Sequence, residues 1–300
     1  MLATARIWID NCRKLNGEIK RKKQYYIQTW HGLGPKQCEK DVETKLSKSY
    51  IRGAKRDSSM ADLFISPARF LTNLYRRSFW YNGEILEVGY PRNDIFVNED
   101  QQKIRKKIHN YYSIPDSKKI LVYAPTFRNS HKINCYDIEF DKCKEALEKK
   151  WGNEWVVLFR LHPNMVEEKK LFKFDDVQFF NASDYFDAQE LLAGADALIS
   201  DYSSIIVDFF CTNRPSFIYA PDIREYEVER NFYFDLNEMP APICKNNEEL
   251  IKNIIEFQES EYSKRVIEFS EKMGVVKPGK ASKEVVNRIA KIIEQKNAYT

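Results

Sequence analysis

The 300-residue sequence has no apolar run approaching the roughly 18–20 residues that span a bilayer. Its first residues, MLATARIWIDN, carry a charge at Arg6, and no small-residue cleavage pattern follows, so they do not read as a signal peptide. The expectation is a chain that stays in the cytoplasm. Cysteine is sparse: Cys12, Cys38, Cys135, Cys143, Cys211 and Cys244 are scattered, and none forms a CxxC pair. That pattern predicts free thiols and argues against a zinc site. There is no GxxxxGK[ST] loop and no early GxGxxG, which argues against an ATPase or a simple dehydrogenase. Asp-x-Asp is missing too, and with it the usual carboxylate pair that clamps a metal ion on a phosphate. Phosphate charge then falls to Arg128, Arg160, lysines and helix ends, with no bound divalent ion and no cofactor called for.

What is present describes a soluble globular protein with real cores: 43% hydrophobic and 31% charged residues, with aromatics high at 14%. The length suits about two domains. The net charge of +4 conceals an asymmetry, because residues 1–60 hold 14 Lys and Arg against 6 Asp and Glu. A basic first segment suits an anionic partner, whether membrane surface, polyphosphate chain or nucleic acid; a solvated surface accounts for it equally well.

Short β-branched and aromatic runs alternate with amphipathic helical patterns, the signature of an α/β fold with mostly parallel sheets. Strands are expected at 5–9, 25–29, 63–66, 85–88, 120–124, 156–161, 177–179, 197–200 and 216–219. Helices are expected at 68–81, 99–112, 140–150, 188–193, 204–211, 248–259, 261–273 and 281–295. The best boundary lies between Pro91 and Ile114. It gives a domain over 1–98 that looks short, with about four strands, and a fuller one over 99–300.

The chemistry-bearing residues cluster just after expected strands, where ligands bind in open α/β sheets. The first run ends in Trp30-His31-Gly32. A histidine at such a turn suits a general base, and a packing histidine beside a core tryptophan would look the same. The run ILVYAPTFR closes on Pro125, Thr126 and Arg128, a turn offering a hydroxyl and a guanidinium suited to phosphate; an exposed loop arginine accounts for Arg128 equally well. In FRLHP, alternation points Arg160 and His162 to the same side. The remaining histidines, His109 on a charged helix and His131 in a polar loop, look structural or exposed. In ISDYSSIIVD a strand ends at Ser200 and a helix starts near Ser203 or Ser204. That start is a phosphate cradle or plain serine capping, and the two are compatible. Asp208, one turn later, could accept a ribose or polyol hydroxyl. Near the end, Gly279-Lys280-Ala281-Ser282 opens a last helix, where ordinary capping is the better reading.

Taken in order, YIQTWHG (26–32), GEILEVGYPRNDIF (83–96), ILVYAPTFR (120–128), RLHP (160–163), DAQELLAGADALISDYSSIIVDF (187–209) and GKAS (279–282) resemble the CDP-glycerol glycerophosphotransferase family of teichoic-acid synthesis. The resemblance runs from about residue 3 to residue 290. It implies a glycosyltransferase B type fold, two Rossmann-like domains facing a cleft, with the N-terminal, acceptor-side one shortened. It also implies transfer of glycerol phosphate or ribitol phosphate from CDP-glycerol or CDP-ribitol to a lipid-linked polyol-phosphate acceptor, with release of CMP. By resemblance His31 and His162 are the catalytic pair. Trp30, Gly32, Arg92, Pro125, Thr126, Arg160, Ser203, Ser204 and Asp208 match donor-binding positions. The implied place is the inner face of the cell membrane, with an anionic membrane surface as partner and no nucleic acid.

The sequence departs from the family pattern at Leu33-Gly34-Pro35, where Thr-Pro usually follows the Trp-His-Gly, and at Pro240-Ala241-Pro242, where glycine usually separates the prolines. Two alternatives stay open: a nucleotide-sugar glycosyltransferase for a surface polysaccharide, and a non-catalytic module that binds anionic polymer.

Overall fold

The β-branched and aromatic runs form two wholly parallel sheets in a computed structural model, which describes residues 2–15, 17–128, 133–162, 164–165, 170 and 172–297. The chain divides into two units. Met1–Leu33, Gln37–Val97 and Ser270–Thr300 make the first; Gly34–Lys36 and Asn98–Phe269 make the second.

The first unit is built on β1 (Ile7–Asp10), β2 (Tyr25–Gln28), β3 (Leu63–Ser66) and β4 (Glu84–Glu87), in that spatial order. Between the strands run α1 (Lys48–Met60) and α2 (Arg69–Ser78). β3 reads Leu-Phe-Ile-Ser and is buried at every position, as an inner parallel strand covered on both faces must be. After β4 a 3-10 turn over Pro91–Asp94 leads into the short α3 (Ile95–Asn98).

The C-terminal helix, Ala281–Asn297, belongs to this unit. Its Val285 packs with Ile27, Leu63 and Ile65, and Ile289, one turn on, joins Ile7, Tyr25, Leu86 and Val88 around them. The return of the chain is pinned by an Arg69 N–H bond to the Gly274 carbonyl. Gly274 has φ 64°, and a Cβ there would stand 2.7 Å from the Cβ of Arg69, so only glycine fits. The sequence reading kept all of 99–300 in the second domain. An apolar stripe at i and i+4 tells that a helix covers a sheet, but not which one.

The second unit comprises α4 (Gln101–Tyr112), β5 (Lys119–Ala124), α5 (Phe140–Trp151), β6 (Trp155–Phe159), β7 (Phe179–Asn181), α6 (Ala188–Gly194), β8 (Ala197–Ser200), α7 (Ile205–Phe210), β9 (Ser216–Tyr219), α8 (Ile223–Arg230), β10 (Ile243–Cys244) and α9 (Asn247–Ile255). α10 (Glu259–Met273) follows and leads back to the first unit, where the C-terminal helix is α11. The sheet order is β10-β9-β8-β5-β6-β7, so the winding reverses between β5 and β8. The carboxyl ends of these two strands form the switch point, the place where open α/β sheets generally bind ligands.

Most expected strands lie within two residues of the observed ones, and 63–66, 197–200 and 216–219 coincide with them. α1, the four-residue α3, α8 and β10 were not expected. The buried face of α1 is Gly53, Ala54, Asp57 and Ser58, which carries no apolar stripe. α8 buries only Tyr226, and β10 is two residues long. His109 is buried, its Nδ1 3.1 Å from the Pro115 carbonyl, and serves the end of α4. His131 lies outside the described residues. All six cysteines are free thiols.

Candidate functional site

In the first unit, the residues after β2 turn sharply. Trp30 has φ 55°, a conformation that costs a bulky side chain energy and needs outside support. Gln28 supplies it: wholly buried, it accepts the Trp30 N–H on Oε1 at 2.9 Å. Its Nε2 donates to the Cys12 carbonyl and to the Tyr26 hydroxyl, which in turn donates to Asp57. Asp57 and Glu39 each sit 3.0 Å from the buried Arg13 guanidinium, and Tyr50 donates to Glu39. Burial opposes the charge on Arg13, and the two carboxylates more than offset it. Arg13 also lies 5.5 Å from the Trp30 ring centre and 5.1 Å from that of Phe79. A buried polar network thus underlies the strained turn, although the Arg13 Nε within it is buried without a hydrogen-bond partner.

The turn presents His31 to solvent. Its ring stacks on Trp30 at 4.2 Å, and its Nδ1 lies 2.7 Å from the Asn11 carbonyl oxygen. A carbonyl only accepts, so Nδ1 carries the proton and the neutral ring offers its lone pair on Nε2. Arg92 donates to the His31 carbonyl at 3.1 Å and lies over the Tyr90 ring. Its guanidinium thereby steadies the backbone that carries Gly32.

The Gly279–Ser282 segment is not an open anion site. The Asp94 carboxylate accepts the N–H groups of Gly279, Ala281 and Ser282 at 2.6, 3.3 and 2.7 Å. The capping reading therefore holds, with the carboxylate supplied from 185 to 188 residues away. Burial works against the charge of Asp94, but these N–H groups hold its carboxyl below the usual range.

In the second unit, the expected residues gather at the ends of β5, β6 and β8. His162 follows β6. The Asn164 N–H donates to its Nδ1 at 3.1 Å, so the neutral ring carries its proton on Nε2, the opposite tautomer to His31. Burial, and then the charge of Lys36, push its pKa down, which keeps the ring neutral. Phe127 stacks beside it at 6.4 Å. Pro163 lies outside the described residues. Thr126, past the buried Pro125, has both its N–H and its hydroxyl on Asp201.

Two expected phosphate cations have other work. Arg128 was read as a loop guanidinium for phosphate, yet it is 2% exposed. It lies 2.7 Å from Asp201 and 2.7 Å from Asp222, donates to the Thr126 carbonyl, and is flanked by Tyr202 and Tyr226 at 4.8 Å each. Its role is to position the Thr126–Asp201 pair. Arg160 lies beyond the end of β6, and one terminal nitrogen donates to the carbonyls of Ala182, Ser183 and Tyr185. Burial lowers its pKa. It ties down the loop after β7.

Ser203 and Ser204 precede α7 as expected. Ser204 makes no side-chain cap bond, while the Ser203 hydroxyl accepts the Ile205 N–H at 3.4 Å. Asp208 is buried on α7, with the Gln189 amide 3.3 Å from its carboxylate. Sequence reasoning missed Gln28, Asp57, Asp94 and Asp222 as supports, because each acts on a residue distant in the chain or in a buried network. Among the described residues no group of three or more His, Cys, Asp or Glu could hold a metal ion. No helix among them is long and apolar enough to cross a membrane.

Residues 1–291 match the family of CDP-glycerol:poly(glycerophosphate) glycerophosphotransferases. The chain is 33% identical to the teichoic acid poly(glycerol phosphate) polymerase of Bacillus subtilis, over 97% of its own length and 40% of that relative's. It is 32% identical to the teichoic acid glycerol-phosphate transferase of Staphylococcus aureus, over 96% of its own length and 76% of the relative's. It thus spans only about two fifths of the first relative. Among solved structures, the wall teichoic acid polymerase TagF superposes with a TM-score of 0.82 at 32% identity, covering 97% of this chain and 73% of that one. The fold is of the glycosyltransferase B type, and the chain belongs to the CDP-glycerol:poly(glycerophosphate) glycerophosphotransferase family.

Proposed function

We propose that the protein transfers glycerol phosphate from CDP-glycerol to a lipid-linked teichoic-acid acceptor and releases CMP, with CDP-ribitol as the other candidate donor. The observation that carries this is the pair of opposite tautomers: an Nε2 lone pair on His31 and an Nε2–H on His162. The acceptor hydroxyl attacks the phosphorus that bears the polyol. A new O–P bond forms, the bond from that phosphorus to the CMP oxygen breaks, and the hydroxyl proton passes to Nε2 of His31. The Nε2–H of His162 donates a hydrogen bond to the phosphate oxygens as charge moves onto CMP. Thr126, Ser203 and Ser204 offer hydroxyls for the donor phosphates, and Asp208 is proposed for a donor hydroxyl. Trp30, Gly32 and Arg92 hold His31 in place.

The basic first sixty residues support a place on the anionic inner face of the membrane, where a lipid-linked acceptor would lie. Calorimetric titration with CDP-glycerol, CDP-ribitol and a UDP-sugar tests the reading. Selective binding of one CDP-polyol, with CMP released in the presence of acceptor, is the expected result. Binding of the UDP-sugar alone would move the protein to sugar transfer, and binding without turnover would leave a polymer-recognition module.

A further inference from the structure

The three residues after Leu33 pack with the second unit. The Pro35 carbonyl accepts the Tyr233 N–H at 2.7 Å, and Lys36 pairs with Phe232 in an isolated antiparallel bridge. Gly34 lies against the start of α7: a Cβ on it would stand 3.5 Å from the Cβ of Ser204 and 3.8 Å from its nitrogen. The backbone on either side of Lys36 is therefore fixed beside Ser204 and the 232–233 segment. Lys36 is half-buried, and its charge reaches His162, the residue expected to face the donor phosphate.

A CDP-activated donor brings a diphosphate, and its cleavage leaves further negative charge on CMP. The sequence offers no Asp-x-Asp pair for a metal clamp. Arg128 is spent on Asp201 and Asp222, and one end of Arg160 on three carbonyls. The Lys36 charge, felt at His162 and carried on backbone pinned beside Phe232 two residues after Gly34 meets Ser204, answers that need, since a lysine serves phosphate as a point charge that can follow it as bonds change.

We propose that Lys36 is a donor-binding residue of the second unit, its ammonium contacting the donor diphosphate beside His162 and Ser204. This rests on the proposed CDP-polyol reading. It gives the departure at Leu33-Gly34-Pro35 a purpose: the segment delivers a cation to the phosphate site.

The test compares wild type, Lys36→Met and Lys36→Arg by calorimetry with CDP-glycerol, CMP, cytidine and inorganic pyrophosphate, after thermal melts have shown that each is folded. Loss of one charge-assisted contact predicts CDP-glycerol binding weakened about 10- to 100-fold in Lys36→Met. Cytidine, which carries no phosphate, should bind equally to both, and Lys36→Arg should recover most of the affinity. NMR titration of the His162 ring should show its pKa rising in Lys36→Met, as removal of a nearby positive charge requires. Undiminished CDP-glycerol binding by folded Lys36→Met would overturn the proposal. If wild type ignores CDP-glycerol but binds pyrophosphate through Lys36, the assignment of Lys36 stands and the donor reading falls. If wild type binds no phosphorylated probe, both fall.

Discussion

The Arg128 guanidinium lies 2.7 Å from the Asp201 carboxylate, with both side chains almost wholly out of water. Asp201 also takes the N–H and hydroxyl of Thr126, so one carboxylate fixes both the β5 turn and the buried cation. Asp201→Asn keeps the shape but removes the charge that compensates Arg128. Breaking a buried pair typically costs about 3–5 kcal/mol, tempered here by Asp222, which still faces the arginine. Chemical denaturation should show a loss of about 2–4 kcal/mol. A change within the error of the measurement would mean that Asp222 alone suffices.

His31→Ala removes the proposed base and leaves the second unit untouched. Turnover should fall about 100- to 10,000-fold. CDP-glycerol affinity should be retained, because the fall belongs to the chemical step. Parallel loss of donor affinity would instead make His31 a binding residue.

Gln28→Leu deletes the acceptor that holds the Trp30 N–H and strips partners from Tyr26 and Cys12. Stability should drop by about 1–3 kcal/mol. Turnover in the remaining folded protein should also fall, because the His31 ring loses the fixed turn beneath it. Crystals of the variant with Trp30 still at positive φ and full turnover would refute this support role.

Asp94 bears on pH. Its folded carboxyl titrates below its unfolded value, so its contribution to stability is complete above the unfolded pKa, about 3.9, and is lost as pH falls through the lower folded one. Asp94→Asn should remove about 1 kcal/mol at neutral pH, as loss of a cap does, and should flatten the acid limb of the stability profile. Urea midpoints from pH 7 to pH 2.5, wild type against variant, measure both. Curves that stay parallel throughout would rule the linkage out.

Both sheets were legible because their inner strands are near-continuous apolar runs, which local pattern captures. The placement of His31, His162 and Thr126 just past strands was legible because each follows such a run. The burial of Arg128 was not legible, because nothing local reveals Asp222, 94 residues away, as its second partner. Lys36 carried no signal of its own: its importance comes from a three-residue excursion into the second unit, and no periodicity marks such a step. The weak GKAS motif resolved only when Asp94, in a different motif, was found on its N–H groups.

The packing of Val285 and Ile289 on the first sheet has a consequence for biogenesis. The strands they cover are all synthesised by residue 87, yet their cover follows only after Asn98–Phe269 has emerged. At roughly 5–20 residues per second, the exposed face of that early sheet waits about 10–40 s for its last layer. During that interval the second unit has every strand it needs to fold. The first sheet thus gains its last layer only after the whole of the second unit has been made.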